Sequence, residues 1–235
     1  MDKFVNNQTD SVMTASPSKD WQSCSELKMI GIYGGTFDPV HYGHLRTALE
    51  VKEIFQLDQL RLIPCHQSPL KNSSQVTPFN RLQMLQLAIQ DEKGLVCDSR
   101  ELDRKGHSYM VDTLKSLREE LPNTTLLLFM GNDAFVHLSR WHQWQTLFAY
   151  AHIVVMTRPQ SEKIPLCDFL TQCFTTDKSE LSTKTAGKLF FQPVTQLDIS
   201  ATVIRKLQAT GRSIRFLLPD NVIHYIEQHT LYNLP

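Results

Sequence analysis

An α/β fold built on a doubly wound parallel sheet is the class this sequence predicts, and three observations predict it. Short apolar runs alternate with segments of helical spacing along most of the chain. The most apolar run, Thr124 to Met130, reads as a strand buried on both faces, with Pro122-Asn123 before it and Gly131-Asn132-Asp133 after it. A glycine pair stands at the first strand-to-helix turn, where parallel sheets of this kind place their ligands.

The elements follow in order. Met29 to Tyr33 is a short buried strand, and the spacing of Leu45, Ala48, Leu49 and Phe55 predicts a helix after it. Gln59 to Pro64 is a second strand, followed by a polar loop from Cys65 to Val76. Thr77 caps the next helix, Pro78 suits its first turn, and Leu82, Leu85 and Ile89 mark its buried stripe. A strand at Leu95 to Cys97 and a helix over about Met110 to Leu121 come next, then the Thr124 strand and another at His152 to Thr157. Between Arg158 and Lys188 prolines and scattered polar residues hide any period, and the segment is read as an insertion or cap. Phe190-Phe191 begins a last strand, and Ala201 to Leu207 and Pro219 to His229 are helices. Right-handed crossovers between parallel strands then give the doubly wound arrangement, with a small C-terminal helical part.

Composition narrows the function classes. The chain has 235 residues, 41% of them hydrophobic, enough for one domain over 27–235. The stretch 1–26 is polar and lacks an apolar core, so it is read as a disordered tail or an expression remnant, neither a secretory signal nor a membrane anchor. Formal charge is zero, with 24 basic and 24 acidic residues, which argues against bulk nucleic-acid or membrane-surface binding. Cys24, Cys65, Cys97, Cys167 and Cys173 include no Cys-x-x-Cys pair, and their odd number suits free thiols in a cytoplasmic protein.

The chemistry concentrates in Gly34-Gly35-Thr36-Phe37-Asp38-Pro39-Val40-His41-Tyr42-Gly43-His44. Glycines free the backbone to adopt positive φ and let a phosphate approach main-chain N–H groups, and the following helix aims its unpaired amides at the same place. His41 and His44, three residues apart in a first helical turn, can face one ligand and donate to phosphate oxygens, and a bound polyanion would favour their cationic forms. Ligation of a metal by this pair is a third reading, weakened because no Cys, Asp or further His lies at ligand spacing. A second constellation, Ile199-Ser200-Ala201-Thr202-Val203-Ile204-Arg205, opens a helix with Ser200 at its N-cap and Arg205 a turn or so beyond.

Together these two runs resemble the signature pair of the nucleotidyltransferases related to class I aminoacyl-tRNA synthetases, above all the bacterial nicotinate-nucleotide adenylyltransferase family. The likeness extends from about Lys28 to the C-terminus and includes Ser108-Tyr109, Asp112-Thr113-Leu114, and Gly131-Asn132-Asp133 followed by Trp141 and Trp144. It implies a Rossmann-like nucleotidyltransferase fold and transfer of AMP from ATP to nicotinate mononucleotide, giving nicotinate adenine dinucleotide and pyrophosphate in NAD synthesis. It further implies that Gly34, Gly35, Thr36, Phe37, His41, His44, Ile199, Ser200, Thr202 and Arg205 hold ATP, with His41, His44 and Arg205 catalytic. On the acceptor side it implies Lys71, Ser108, Tyr109, Met110, Asp133 and Trp141, with Mg²⁺ bound through the ATP phosphates and no protein metal site. Trp141 is equally readable as core, and Trp144 reads as core first. Two positions depart from the family pattern: Leu70 stands where a His is usual, and Met110 where a Thr is common.

A phosphate monoester is mostly dianionic near neutral pH, so such a transfer needs alignment and charge stabilisation rather than a general base. Another phosphate acceptor, such as nicotinamide mononucleotide, phosphopantetheine or a sugar phosphate, keeps the same chemistry. A non-catalytic nucleotide-binding regulator would not need both histidines and Arg205, and a dinucleotide-binding dehydrogenase would carry Gly-x-Gly-x-x-Gly, which is not found at the glycine pair.

Overall fold

Six strands form one sheet in the order β3-β2-β1-β4-β5-β6, every neighbouring pair parallel. They are β1 (Met29–Gly35), β2 (Gln59–Pro64), β3 (Leu95–Cys97), β4 (Thr125–Gly131), β5 (His152–Thr157) and β6 (Leu189–Pro193). The computed structural model describes residues 28–67, 76–104, 106–158 and 164–233. The predicted tail over 1–26, Leu70 and Lys71 lie outside the described residues.

Strand order reverses between β1 and β4, so connections leave β1 toward one edge and β4 toward the other, the doubly wound pattern the alternation predicted. The helices are α1 (Tyr42–Ile54), α2 (Pro78–Ile89), α3 (Met110–Glu120), α4 (Asn132–Val136), α5 (Leu147–Tyr150), α6 (Asp168–Cys173), α7 (Glu180–Thr183), α8 (Ala201–Ala209) and α9 (Asp220–Gln228). Because successive strand residues point to opposite faces, β4 feeds two cores. Leu127 and Phe129 pack with Leu45, Val51, Leu85, Ile204 and Ile226 on one face, and Leu126, Leu128 and Met130 with Val111, Leu114, Leu117 and Phe148 on the other. Each such leucine, fully withdrawn from water, contributes roughly 1.5–3 kcal/mol.

Two readings of local structure change. The buried stripe of α2 is Arg81, Met84, Leu85 and Ile89, while Leu82 is only half-buried. A charged residue therefore occupies a core position. The stretch read as an insertion or cap carries α6 and α7, of six and four residues, too short to print a helical period. Its Ile164, Leu166, Phe169 and Leu170 pack on the second core, so it forms a side wall of the sheet. Trp144 meets Phe169 edge to face at 5.3 Å, a core contact. Among the described residues no helix is long and apolar enough to cross a membrane.

Candidate active site

β1 runs through both glycines before it ends, pairing Gly34 with Ile63 and Gly35 with Pro64 of β2. Neither glycine has positive φ; that conformation falls on Phe37, at φ 47°. The expectation that the glycines supply a left-handed turn is thus corrected, and their use is close approach. A Cβ on Gly34 would stand 2.5 Å from the Met110 methyl, and one on Gly35 would stand 3.0 Å from the Phe37 ring. Phe37 itself is buried, with its ring edge-on to Tyr33 at 5.9 Å and to His44 at 5.2 Å. Its ring supports that of His44.

His41 is the N-cap of α1 and His44 sits in the first turn. Their rings stack with centroids 3.7 Å apart. The His41 N–H donates to His44 Nδ1 at 3.3 Å, half of a capping box, which assigns the proton of a neutral His44 to Nε2. His41 is 6% exposed, and burial pulls its pKa down to about 4. In the free protein this imidazole is neutral, so a polyanion would have to overcome that burial to charge it. Its Nδ1 is buried without a partner among the described residues.

Gly43 explains how the ring is seated. A Cβ there would meet His41 Nδ1 and Cε1 at 3.0 Å, with the Ile199 carbonyl at 3.5 Å. Gly43→Ala is expected to leave the melting temperature unchanged or raised, since alanine favours helix by up to about 1 kcal/mol. Displacement of the His41 ring should nevertheless lower kcat about tenfold. Paired melting and turnover measurements check this, and unchanged turnover would contradict it.

The second motif meets the first through Arg205. Its Nη1 donates to the Asp38 carbonyl at 2.6 Å and lies 3.8 Å from Asp38 Oδ2, while Nη2 donates to Thr202 Oγ1 at 3.2 Å. Asp38 is buried, and its Oδ1 accepts from the Tyr232 hydroxyl at 2.7 Å. Burial and the Asp38 carboxylate drive the Tyr232 pKa up, so the phenol stays a donor. Ser200 occupies the N-cap of α8 as predicted, but its side chain makes no capping bond and is exposed, as is Thr202. Ile199 is half-buried against the first core.

The described residues expected on the acceptor side are spread over three segments. Ser108 Oγ accepts from the His66 N–H at 2.9 Å, and the Ser108 N–H donates to the Gln67 carbonyl at 3.0 Å. Tyr109 caps α3 and its ring lies 4.6 Å from that of His142. Met110 begins α3 and fills the space above Gly34. Trp141 is half-buried against the second core. Asp133 is exposed in the first turn of α4 and lines a cleft of about 500 Å³ with Asn132, Val136, Arg158 and Gln196. That cleft lies over the carboxyl ends of β4 to β6, and the histidines are not among its lining residues. Tyr33 connects the two places: its ring is 6.4 Å from His44, and burial and the charge of Asp133 raise its pKa.

Sequence reasoning passed over Tyr33, Arg81, His142 and Tyr232. Arg81 alone carried a signal, falling four and eight residues before Leu85 and Ile89 on the apolar stripe.

Residues 32–207 match the cytidylyltransferase-like family model. A probable nicotinate-nucleotide adenylyltransferase from Methylococcus capsulatus is 49% identical over 209 residues, covering 87% of this chain and 99% of that protein. Another from Pseudomonas putida is 46% identical over 213 residues, covering 89% and 97%. In fold, the chain is similar to the Plasmodium falciparum nicotinic acid mononucleotide adenylyltransferase complexed with NaAD. That similarity has a TM-score of 0.66 at 20% identity and covers 87% of this chain and 97% of that one.

Proposed function

Because the chain belongs to the cytidylyltransferase-like family, and within it to the nicotinate-nucleotide adenylyltransferases, we propose that it transfers AMP from ATP to nicotinate mononucleotide in one in-line step. The products are nicotinate adenine dinucleotide (deamido-NAD) and pyrophosphate, within NAD synthesis, and no covalent enzyme intermediate forms. The observation that carries the mechanism is the bridge made by Arg205, whose guanidinium joins Asp38 of the first motif to Thr202 of the second beside the stacked histidines.

In this reading the Gly34 to Phe37 backbone and the start of α1 receive the triphosphate, where free amides and the helix dipole favour anions. His44 donates to the α-phosphate as charge builds, and His41 and Arg205 hold the remaining phosphates with Ser200, Thr202 and Ile199 at the opposite wall. The acceptor's phosphate is the nucleophile and needs only to be aligned. Ser108, Tyr109, Met110 and Trp141 would surround the pyridine ring, with Asp133 near the nucleotide and Lys71 on the acceptor phosphate.

Mg²⁺ would enter on the ATP phosphates and neutralise their charge. Mg²⁺ prefers oxygen ligands and keeps several waters, so the phosphate oxygens themselves would hold it. The thiols of Cys97, Cys167 and Cys173, which enter no disulfide among the described residues, support a reducing, cytoplasmic setting.

The test is pyrophosphate release with ATP and a panel of acceptors: nicotinate mononucleotide, nicotinamide mononucleotide, phosphopantetheine and a sugar phosphate. The acid mononucleotide is expected to give the highest kcat/KM. A higher value with any other member would reassign the acceptor, and ATP binding without pyrophosphate release from any of them would make the protein a nucleotide-binding regulator.

A further inference from the structure

Arg81 is 2% exposed, and its partners among the described residues are main-chain carbonyls. Nη1 donates to Thr36 O at 2.7 Å, and Nη2 donates to Cys65 O at 2.7 Å and His66 O at 3.0 Å. Its Nε is buried and unpartnered. A cation taken out of water in this way is costly, so what it does locally has to be looked for in those carbonyls. They belong to the segments that follow β1 and β2, the two loops that bound the phosphate site on one side and the acceptor side on the other.

We infer that Arg81 is a positioning residue that sets these two substrate loops against each other. In a trans peptide the C=O and the following N–H point in opposite directions. Holding the Thr36 carbonyl therefore turns the Phe37 N–H away from Arg81. Holding the Cys65 carbonyl likewise turns away the His66 N–H, and that N–H is the one donating to Ser108 Oγ. One planar unit thus receives Arg81 on one edge and contacts the acceptor-side serine from the other. The Cys65 N–H closes the loop pair by donating to Gly35 O at 2.9 Å. A path of hydrogen bonds runs from Thr36 through Arg81 and the Cys65-His66 peptide to Ser108. Only a planar fork reaches carbonyls on both loops at once; a lysine would present one point charge, and a methionine none.

The kinetic arm of the test rests on the adenylyl-transfer reading; its binding and exchange arms do not. R81M is expected to lower kcat about a hundredfold per folded molecule and to raise KM for both ATP and nicotinate mononucleotide, with R81K recovering part of each. Values within twofold of wild type in folded R81M, or a KM change confined to one substrate, would overturn the inference. If neither variant folds, hydrogen exchange on the wild-type protein decides. ATP alone should slow exchange several-fold at the His66 and Ser108 amides as well as around Phe37, and no change at the first two would sink the coupling. Should wild type release no pyrophosphate with any acceptor, the functional reading fails. Calorimetric ATP binding by R81K and the exchange pattern would still judge Arg81.

Discussion

His44→Ala should cut kcat for pyrophosphate release about a hundredfold, equivalent to about 3 kcal/mol of transition-state stabilisation, while the protein stays folded. The size follows from the geometry around the imidazole. His44 Nδ1 is occupied by the His41 N–H, so Nε2 carries the proton that a developing negative charge can receive. The ring is held by Phe37 at 5.2 Å and by stacking on His41 at 3.7 Å, so little reorganisation is needed when charge appears. The stability cost should stay small, with about 1 kcal/mol for the capping bond at Nδ1, because His44 is half-buried at the surface of the first turn. Initial rates at saturating substrates, beside urea unfolding of both proteins, separate the two effects. A folded variant with kcat within threefold of wild type would remove His44 from the reaction. A proportional loss of stability and rate would make it merely structural.

Much of this site could be read in the chain because its chemistry is local in sequence. Gly34 to His44 is one continuous run, and the same strand-turn-helix that spaces the histidines also supplies the helix N-terminus. What could not be read depends on distance. The Tyr232 hydroxyl reaches Asp38 across 194 residues, and Arg81 reaches Thr36 across 45. No periodicity reports such contacts. The conformational role of the glycines was misread for a related reason: φ at Gly34 and Gly35 is set by continued pairing with β2, and the sharp backbone change is displaced to Phe37, whose ring is anchored in the core. His41 shows the same limit electrostatically. Motif chemistry suggested a group ready to be charged, whereas its buried setting beneath the loop keeps it neutral until about pH 4 in the free protein. Burial is a property of the packed assembly, and a motif does not carry it.

Arg118→Ala should lower the unfolding free energy by about 3 kcal/mol without changing turnover by the folded protein. Arg118 stands in the last turn of α3, at the amino ends of the central strands and so at the end of the sheet opposite the Gly34 to His44 run. Its Nη1 donates to the carbonyls of Leu121, Pro122 and Thr124, and its Nη2 to those of Tyr150 and Thr185. These oxygens lie just before β4, β5 and β6, so one guanidinium gathers the starts of three strands. Two of its bonds, at 2.7 Å, are as short as charge-assisted bonds become, and burial lowers the Arg118 pKa without threatening a charge whose usual value is above 12. Truncation takes the guanidinium from the partly buried Thr124 and Tyr150 carbonyls, while Leu121 O and Thr185 O keep the Thr124 and Leu126 N–H, and it removes a cation from a helix C-terminus, where it is favoured. The neighbouring segment keeps a second tie: buried His152 bonds to Lys184 O through Nε2 at 2.9 Å and accepts the Lys188 N–H on Nδ1 at 3.0 Å. The loss should therefore destabilise the edge strands without unfolding the chain outright. Urea midpoints at constant m-value give the free energy, and a melting temperature lower by several degrees should accompany it, at about 2–4 °C per kcal/mol for a chain of this size. Arg118→Lys should recover only part of the loss, since a point charge cannot span three strand starts. A loss below about 0.5 kcal/mol, or a fall in kcat with stability retained, would show that this end of the sheet is held by something other than Arg118.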